Sequence, residues 1–252
     1  MADSLFARSR YLAGSDEVRA GALQGALDDP STRAVWAVRG GYGLGRILGR
    51  LELGAVRKLL LGFSDLTALH AATNAQGLVS IHGPNVGQLG ELTEPALARL
   101  AALLAGEQPG PLTGGVPLVA GRASGRLLGG NLTVLASLVG SPHLPPLTGA
   151  ILLLEDVGES PYRLDRAFTQ LRNAGLLDGV RGLALGQFPR CDPAQLDFGS
   201  REVLADLAVQ LGVPSAIGFP VGHVDDNRAV PLGVEVELDA DGGTLTFARG
   251  LD

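Results

Sequence analysis

The chain has 252 residues, 46% of them hydrophobic and 18% charged, with a net charge of −6 and a pI near 5.2. So apolar a composition excludes a disordered chain, and an acidic balance without a basic run argues against nucleic acid and anionic membrane surfaces as partners. Cys191 is the one cysteine, which excludes an internal disulfide framework and a Cys-rich metal site and points to a reducing compartment.

The longest apolar runs, such as Ala150 to Leu154, are too short to cross a membrane. No basic region precedes an apolar block at the amino terminus, so a soluble, cytoplasmic protein without a signal peptide is expected. Ser15 caps a first helix, with Asp16 and Glu17 in its first turn and Val18, Ala22, Leu23, Ala26 and Leu27 along one face. Asp28-Asp29-Pro30 ends it. Ala34 to Val38 reads as a buried strand running into Arg39-Gly40-Gly41-Tyr42-Gly43, and Leu44, Ile47, Leu48 and Leu51 share one face of a predicted helix. Leu59 to Leu61 fit a short strand buried on both faces, and helical spacing resumes at Leu66, Leu69 and Ala72. Leu78 to Ile81 is a further strand, ending in His82-Gly83-Pro84. A helix follows from about Pro95 to Leu104, with Thr93 near its start and Gly106 after its end. Strands alternating with helices predict a parallel, doubly wound sheet, an N-terminal α/β domain over residues 1–107.

From Glu107 to Gly121 the composition turns to Pro, Gly and small residues, which reads as a linker over 108–121. The C-terminal domain, 122–252, holds Gly125 to Leu128, a helix from about Asn131, a strand from Ala150 to Glu155, a helix from Pro161 to Ala174 and a strand from Gly182 to Phe188. Near the end Val234, Val236 and Leu238 alternate with Glu235 and Glu237. An Asp241-Gly242-Gly243 turn follows, and Leu245 and Phe247 alternate on the return, which is a hairpin with one wet face. This half is expected to be a mixed, β-rich α/β domain.

Ser64 sits on a strand-to-helix turn, at the carboxyl end of a strand where open α/β folds place their ligands. It reads either as a helix cap together with Asp65 or as a nucleophile beside the free N–H groups of a helix start. A serine nucleophile needs a base and a group that orients it. Among the four histidines, His70 lies on the following helix and reads as surface or packing, His143 stands in a Pro-rich loop, and His82 ends a strand as a possible pocket residue. His223, in the turn-rich Phe219 to Asn227, is the best base candidate, and Glu155, closing an apolar strand, is the orienting acid. No metal site is expected, since hard cations need more convergent oxygens. Gly40-Gly41-Tyr42-Gly43-Leu44-Gly45 lacks both the spacing of a dinucleotide fingerprint and a Gly-Lys-Ser/Thr phosphate loop, so no cofactor is expected. Its backbone suits an oxyanion hole, assigned to Gly41 jointly with Asp65.

Together these segments resemble the LD-carboxypeptidase family of serine peptidases, which includes the microcin C self-immunity peptidases. The matching stretches are Val38 to Gly43, Gly62 to Thr67, Ile81 to Pro84, Gly129 to Leu132, Leu154 to Glu159, Tyr162 to Arg166, Gly222-His223 and Pro231 to Gly233. The resemblance implies a Ser64-His223-Glu155 triad shared between two domains. It also implies hydrolysis of the bond before a terminal D-residue, release of D-alanine from murein tetrapeptide in cell-wall recycling, and a homodimer. Arg39, Tyr42, His82 and Arg163 are the candidates for substrate binding, with Arg39 or Arg163 taking the free carboxylate. Family members usually open with a further strand, helix and strand ahead of the segment that here begins Met1-Ala2-Asp3-Ser4-Leu5-Phe6. A first sheet shortened by about 50 residues, more than one ~30-residue βαβ unit, is therefore expected. An inactive or weak peptide-binding remnant and a peptidyl-nucleotide peptidase of the microcin type are the alternatives to the murein enzyme.

Overall fold

The computed structural model describes residues 6–54, 56–192, 194 and 197–248, so Met1 to Leu5 lie outside the described residues. In chain order the first half gives α1 (Asp16–Asp28), β1 (Ala34–Trp36), β2 (Leu59–Gly62), α2 (Thr67–Ala75), β3 (Ser80–His82) and α3 (Glu94–Leu104). The second gives β4 (Leu112–Thr113), β5 (Val116–Val119), β6 (Arg122–Asn131), α4 (Leu132–Ser137), β7 (Ile151–Glu155), α5 (Pro161–Asn173), β8 (Gly182–Leu185), α6 (Ser200–Leu211), β9 (Ser215–Ile217), β10 (Val230–Leu232), β11 (Glu235–Asp239) and β12 (Thr244–Phe247).

β1, β2 and β3 are parallel and in sequence order, and β10 completes their sheet by pairing antiparallel with β3. Alternate residues of a strand point to opposite faces, so neighbouring leucines of β2 enter different cores. Leu60 packs with Leu27 of α1 and Ala68, Leu69 and Ala72 of α2, whereas Leu61 joins Ile81 and Leu100 and Leu103 of α3. Helices therefore cover both faces, as a wound α/β unit requires. Two details differ from the sequence reading. Of Ala34 to Val38 only Ala34–Trp36 forms a strand, and it is no more than half-buried because β1 lies at the sheet edge. Leu44 to Leu51 forms two separate 3-10 turns, Leu44–Arg46 and Leu48–Arg50, since Gly45 and Gly49 interrupt the run with poor helix formers.

The second sheet runs β4-β12-β11-β6-β7-β8-β9-β5, with β6 to β9 parallel and the other pairings antiparallel. β4 and β5 sit at opposite ends of that order, yet only Gly114-Gly115 separates them in the chain. A link of three peptide steps reaches at most ~11 Å, so the sheet must roll until its edges meet. The stretch read as a linker thus carries both closing strands. Ile151 and Leu153 of β7 point into the rolled sheet beside Phe219, Leu238 and Phe247, while Leu152 and Leu154 pack outward under Leu164, Phe168 and Leu204. Burial on both faces accounts for the unbroken apolar run of this strand. α6 and β9 fall in a stretch for which no element is predicted. The hairpin is as expected, with Val236 and Leu238 buried and Glu235 and Glu237 exposed. β10 belongs to the first sheet, so the two halves are locked side by side.

Candidate active site

Ser64 follows β2 after the single residue Phe63 and opens a short 3-10 turn, Ser64–Leu66, that runs into α2. Its φ is +67°, in the left-handed region that a non-glycine residue enters at a cost of about 1–3 kcal/mol. The side chain caps no helix, so of the two readings open in the sequence the cap is not what forms. Three contacts hold the turn. The Phe63 N–H donates to Asn85 Oδ1 at 3.4 Å, Asp65 Oδ2 accepts from the Leu44 N–H at 2.9 Å, and His70 Nε2 meets the Gly62 carbonyl at 2.8 Å. Burial pushes the Asp65 carboxyl above its ordinary range, tempered by the Leu44 amide and Arg19. A Cβ on residue 40 would stand 2.9 Å from Ser64 Cβ, so a glycine there lets the end of the β1 segment lie against the serine. Gly41, at φ +125°, has nothing within 4 Å of its missing Cβ.

From the other half, Glu155 ends β7 fully buried, and its Oε2 lies 2.7 Å from His223 Nδ1. The partnership depends on glycine: a Cβ on Gly222, which has φ +120°, would stand 2.7 Å from the same oxygen. The Gly222 N–H donates to Asn227 Oδ1 at 3.0 Å, which pins the loop. Burial would raise the Glu155 carboxyl, but the hydrogen bond from His223 and the facing His82 outweigh it and hold the group below its ordinary value. A carboxylate only accepts, so His223 carries a proton on Nδ1 and leaves Nε2 free to act as a base. The His223 ring lies 4.6 Å, centroid to centroid, from that of Phe63, the residue before Ser64. The structure thus joins Glu155 to His223 at the junction between the two sheets and sets the His223 ring against Phe63, next in the chain to Ser64.

Arg39, Tyr42, Gly41 and Asp65 share the wall of a cavity of about 710 Å³ next to the serine turn, together with Tyr11 and Arg19. Arg163, on α5, stands elsewhere, 3.5 Å from Glu159 just ahead of that helix, in a smaller hollow of about 260 Å³ with Thr133 and Arg166. His82 is fully buried and faces Glu155, not a surface that substrate reaches. Among the described residues no three His, Cys, Asp or Glu side chains converge to hold a metal ion.

Residues 1–83 match the LD-carboxypeptidase N-terminal domain, and residues 124–238 match the LD-carboxypeptidase C-terminal domain. The chain belongs to the LD-carboxypeptidase family. A putative carboxypeptidase of Streptomyces coelicolor is 46% identical to this LD-carboxypeptidase family member over 249 residues, 95% of this chain and 79% of that protein. The murein tetrapeptide carboxypeptidase of Pseudomonas aeruginosa is 39% identical over 254 residues, 92% and 81% of the two. The crystal structure of a muramoyltetrapeptide carboxypeptidase from Oxalobacter formigenes matches with a TM-score of 0.86 at 31% identity, over 95% of this chain and 86% of that one. These similarities place the chain among peptidases.

At the site of this LD-carboxypeptidase family member, Phe63 and Asn85 have roles that the sequence reading does not assign, and His70 takes the packing alternative of its two readings. Helical side chains tilt toward the amino terminus of their helix, so His70 reaches back to Gly62 and is buried. Its Nε2 must carry the proton given to that carbonyl. Burial and the nearby His82 push its pKa down to about 3. The native state therefore refuses a proton that the unfolded chain binds near pH 6.5, and stability complete above that pH is lost as the pH falls toward 3. Between pH 6.5 and 5 we expect the parent to lose about 2 kcal/mol from this group. His70→Gln, which keeps an N–H donor without titrating, should show a shallower fall in melting temperature over that range; equal slopes would show that His70 is not buried neutral.

Proposed function

We propose that this chain is a serine carboxypeptidase that cleaves an L,D-peptide bond and releases D-alanine from murein tetrapeptide. The observation that carries the reading is the His223 Nδ1 to Glu155 Oε2 contact at 2.7 Å beside the left-handed Ser64 turn. Ser64 Oγ attacks the scissile carbonyl while His223 Nε2 takes its proton, and Glu155 holds the imidazole in the Nδ1–H tautomer and balances its charge. The Gly41 and Asp65 N–H groups receive the oxyanion, each such donor contributing about 10²–10³ in rate. His223 then hands the proton to the amine of the departing D-alanine, and a water molecule repeats the sequence to free the acyl chain from Ser64. Arg39 takes the terminal carboxylate, as it shares a wall with Gly41 and Asp65, and Tyr42 flanks the peptide. Arg163 is left to its pairing with Glu159. The choice of a murein tetrapeptide as substrate draws support from the name of the Pseudomonas relative; the D-alanine ending and a role in cell-wall recycling are part of the proposal.

The test is release of the terminal alanine from a synthetic murein tetrapeptide and from its L-terminal epimer, with peptide mapping after a serine-directed phosphonate. Turnover of the D-ending peptide alone, with the label on Ser64, is the expected result. A folded chain that binds the peptide without cleaving it is a binding remnant. One that cleaves only a peptidyl-nucleotide belongs with the microcin type, and either outcome overturns the murein reading.

A further inference from the structure

We propose that His82 is a second positioning residue for the Glu155 carboxylate, holding the oxygen that His223 leaves free. The inference rests on the triad reading above. His82 closes β3, where it pairs with Gly62 of β2 on one side and Val230 of β10 on the other. Its side chain is fully buried and neither ring nitrogen has a hydrogen-bond partner. Glu155 Oε1 is likewise buried and unpartnered, and His82 Nε2 stands 3.9 Å from it.

A buried donor or acceptor without a partner bears the full cost of its lost hydration, so two that face each other and stay apart would be a poor arrangement. Closing the gap by ~1 Å gives an ordinary N–H···O contact, and such contacts often tighten only when substrate is bound. The carboxylate can only accept, so Nε2 carries the proton. The surroundings set the ring for this task. Phe63 meets it edge-on at 5.9 Å, and the His70 ring lies 6.2 Å away. The titratable groups facing the pair are His70 from α2 and His223 from the loop after β9. His70 stays neutral at working pH, so it adds no charge there.

A donor on Oε1 draws charge density from the carboxylate and so moderates how firmly Glu155 makes His223 hold its proton. His82 thereby shares the Glu155 charge with His223, so that the proton taken from Ser64 can pass on to the leaving amine. Without it, Glu155 turns its full charge on His223, and the acid limb of the rate profile moves to higher pH.

The experiment is the pH dependence of kcat/KM for the whole chain on the tetrapeptide, for the parent, His82→Leu and His82→Gln. His82→Leu should raise the acid limb by about one pH unit, the size of one hydrogen bond to a charged group, and lower kcat with KM unchanged. His82→Gln, which retains an N–H donor, should restore most of the parent profile. A folded His82→Leu that is slower at every pH with no shift, or a glutamine variant that shifts as far as leucine, would reduce His82 to a packing residue. Should the leucine variant not fold, imidazole ¹⁵N spectra of the parent decide. The Nε2–H tautomer, with that proton moving downfield when a phosphonate occupies Ser64, supports the proposal, and the Nδ1–H tautomer overturns it. A parent that does not cleave the peptide fails the triad reading instead, and the resting tautomer still tests the contact.

Discussion

Replacing Ser64 by alanine is expected to lower kcat on the order of 10⁶-fold while leaving the fold and peptide binding in place. The size follows from the roles proposed for the junction: without Oγ no acyl-enzyme forms, and His223 and Glu155 have nothing to activate. The residual rate comes from the oxyanion donors and from binding alone. Alanine keeps the φ of +67° at the same steric cost, so the melting temperature should change little. Ser64→Gly makes the companion test, since glycine enters that region freely and should raise stability by about 1 kcal/mol while remaining inactive. A protein that becomes more stable as it loses function is what strain stored at a working nucleophile predicts. A Ser64→Ala chain within ~100-fold of the parent rate would remove the serine from the reaction.

Much of this site was legible because each part leaves a local trace. Leu59 to Leu61 followed by Ser64 and the spacing of Leu66, Leu69 and Ala72 marks a strand-to-helix turn, and Glu155 stands out as an acid closing an apolar strand. The left-handed backbone of Ser64 was not legible, since serine at such a turn reads equally well as a cap, and only the tertiary contacts from Asn85, Leu44 and His70 choose between them. His82 shows a similar limit. Sequence places it at a strand end, near function, but the 3.9 Å to Glu155 depends on how β7 of one sheet meets β3 of the other, which no local pattern encodes. The closing of the second sheet was hidden for the opposite reason. The Gly/Pro composition around Gly114-Gly115 signals a turn correctly, yet says nothing of strands paired with β9 and β12 more than 90 residues away. α6 did carry a trace in Leu204, Leu207 and Ala208 at helical spacing, all buried in the main core.

Glu155→Gln is expected to lower kcat by about 10⁴-fold, the loss seen when a buried orienting carboxylate becomes an amide of the same shape. The amide fills the volume but brings no charge to balance the imidazolium that forms as Ser64 attacks. It also adds an –NH₂ group that must face either His223 or His82. Facing His223, it forces the proton onto Nε2 and removes the base; facing His82, it restores the tautomer but not the charge. Stability supplies an independent readout. Glu155 is fully buried and held below the ordinary carboxylate range by its two imidazole neighbours, despite the opposing effect of burial. Its charged form therefore contributes stability that is complete above about pH 4.5 and is lost as the pH falls through the lower native value. The glutamine variant has no such dependence. The melting temperature of the parent relative to the variant should decline as the pH falls below about 4.5, and His70, present in both chains, cancels from that difference. A difference that stays constant with pH would mean that Glu155 is not ionised in the native protein, and the charge balance assigned to it would fail.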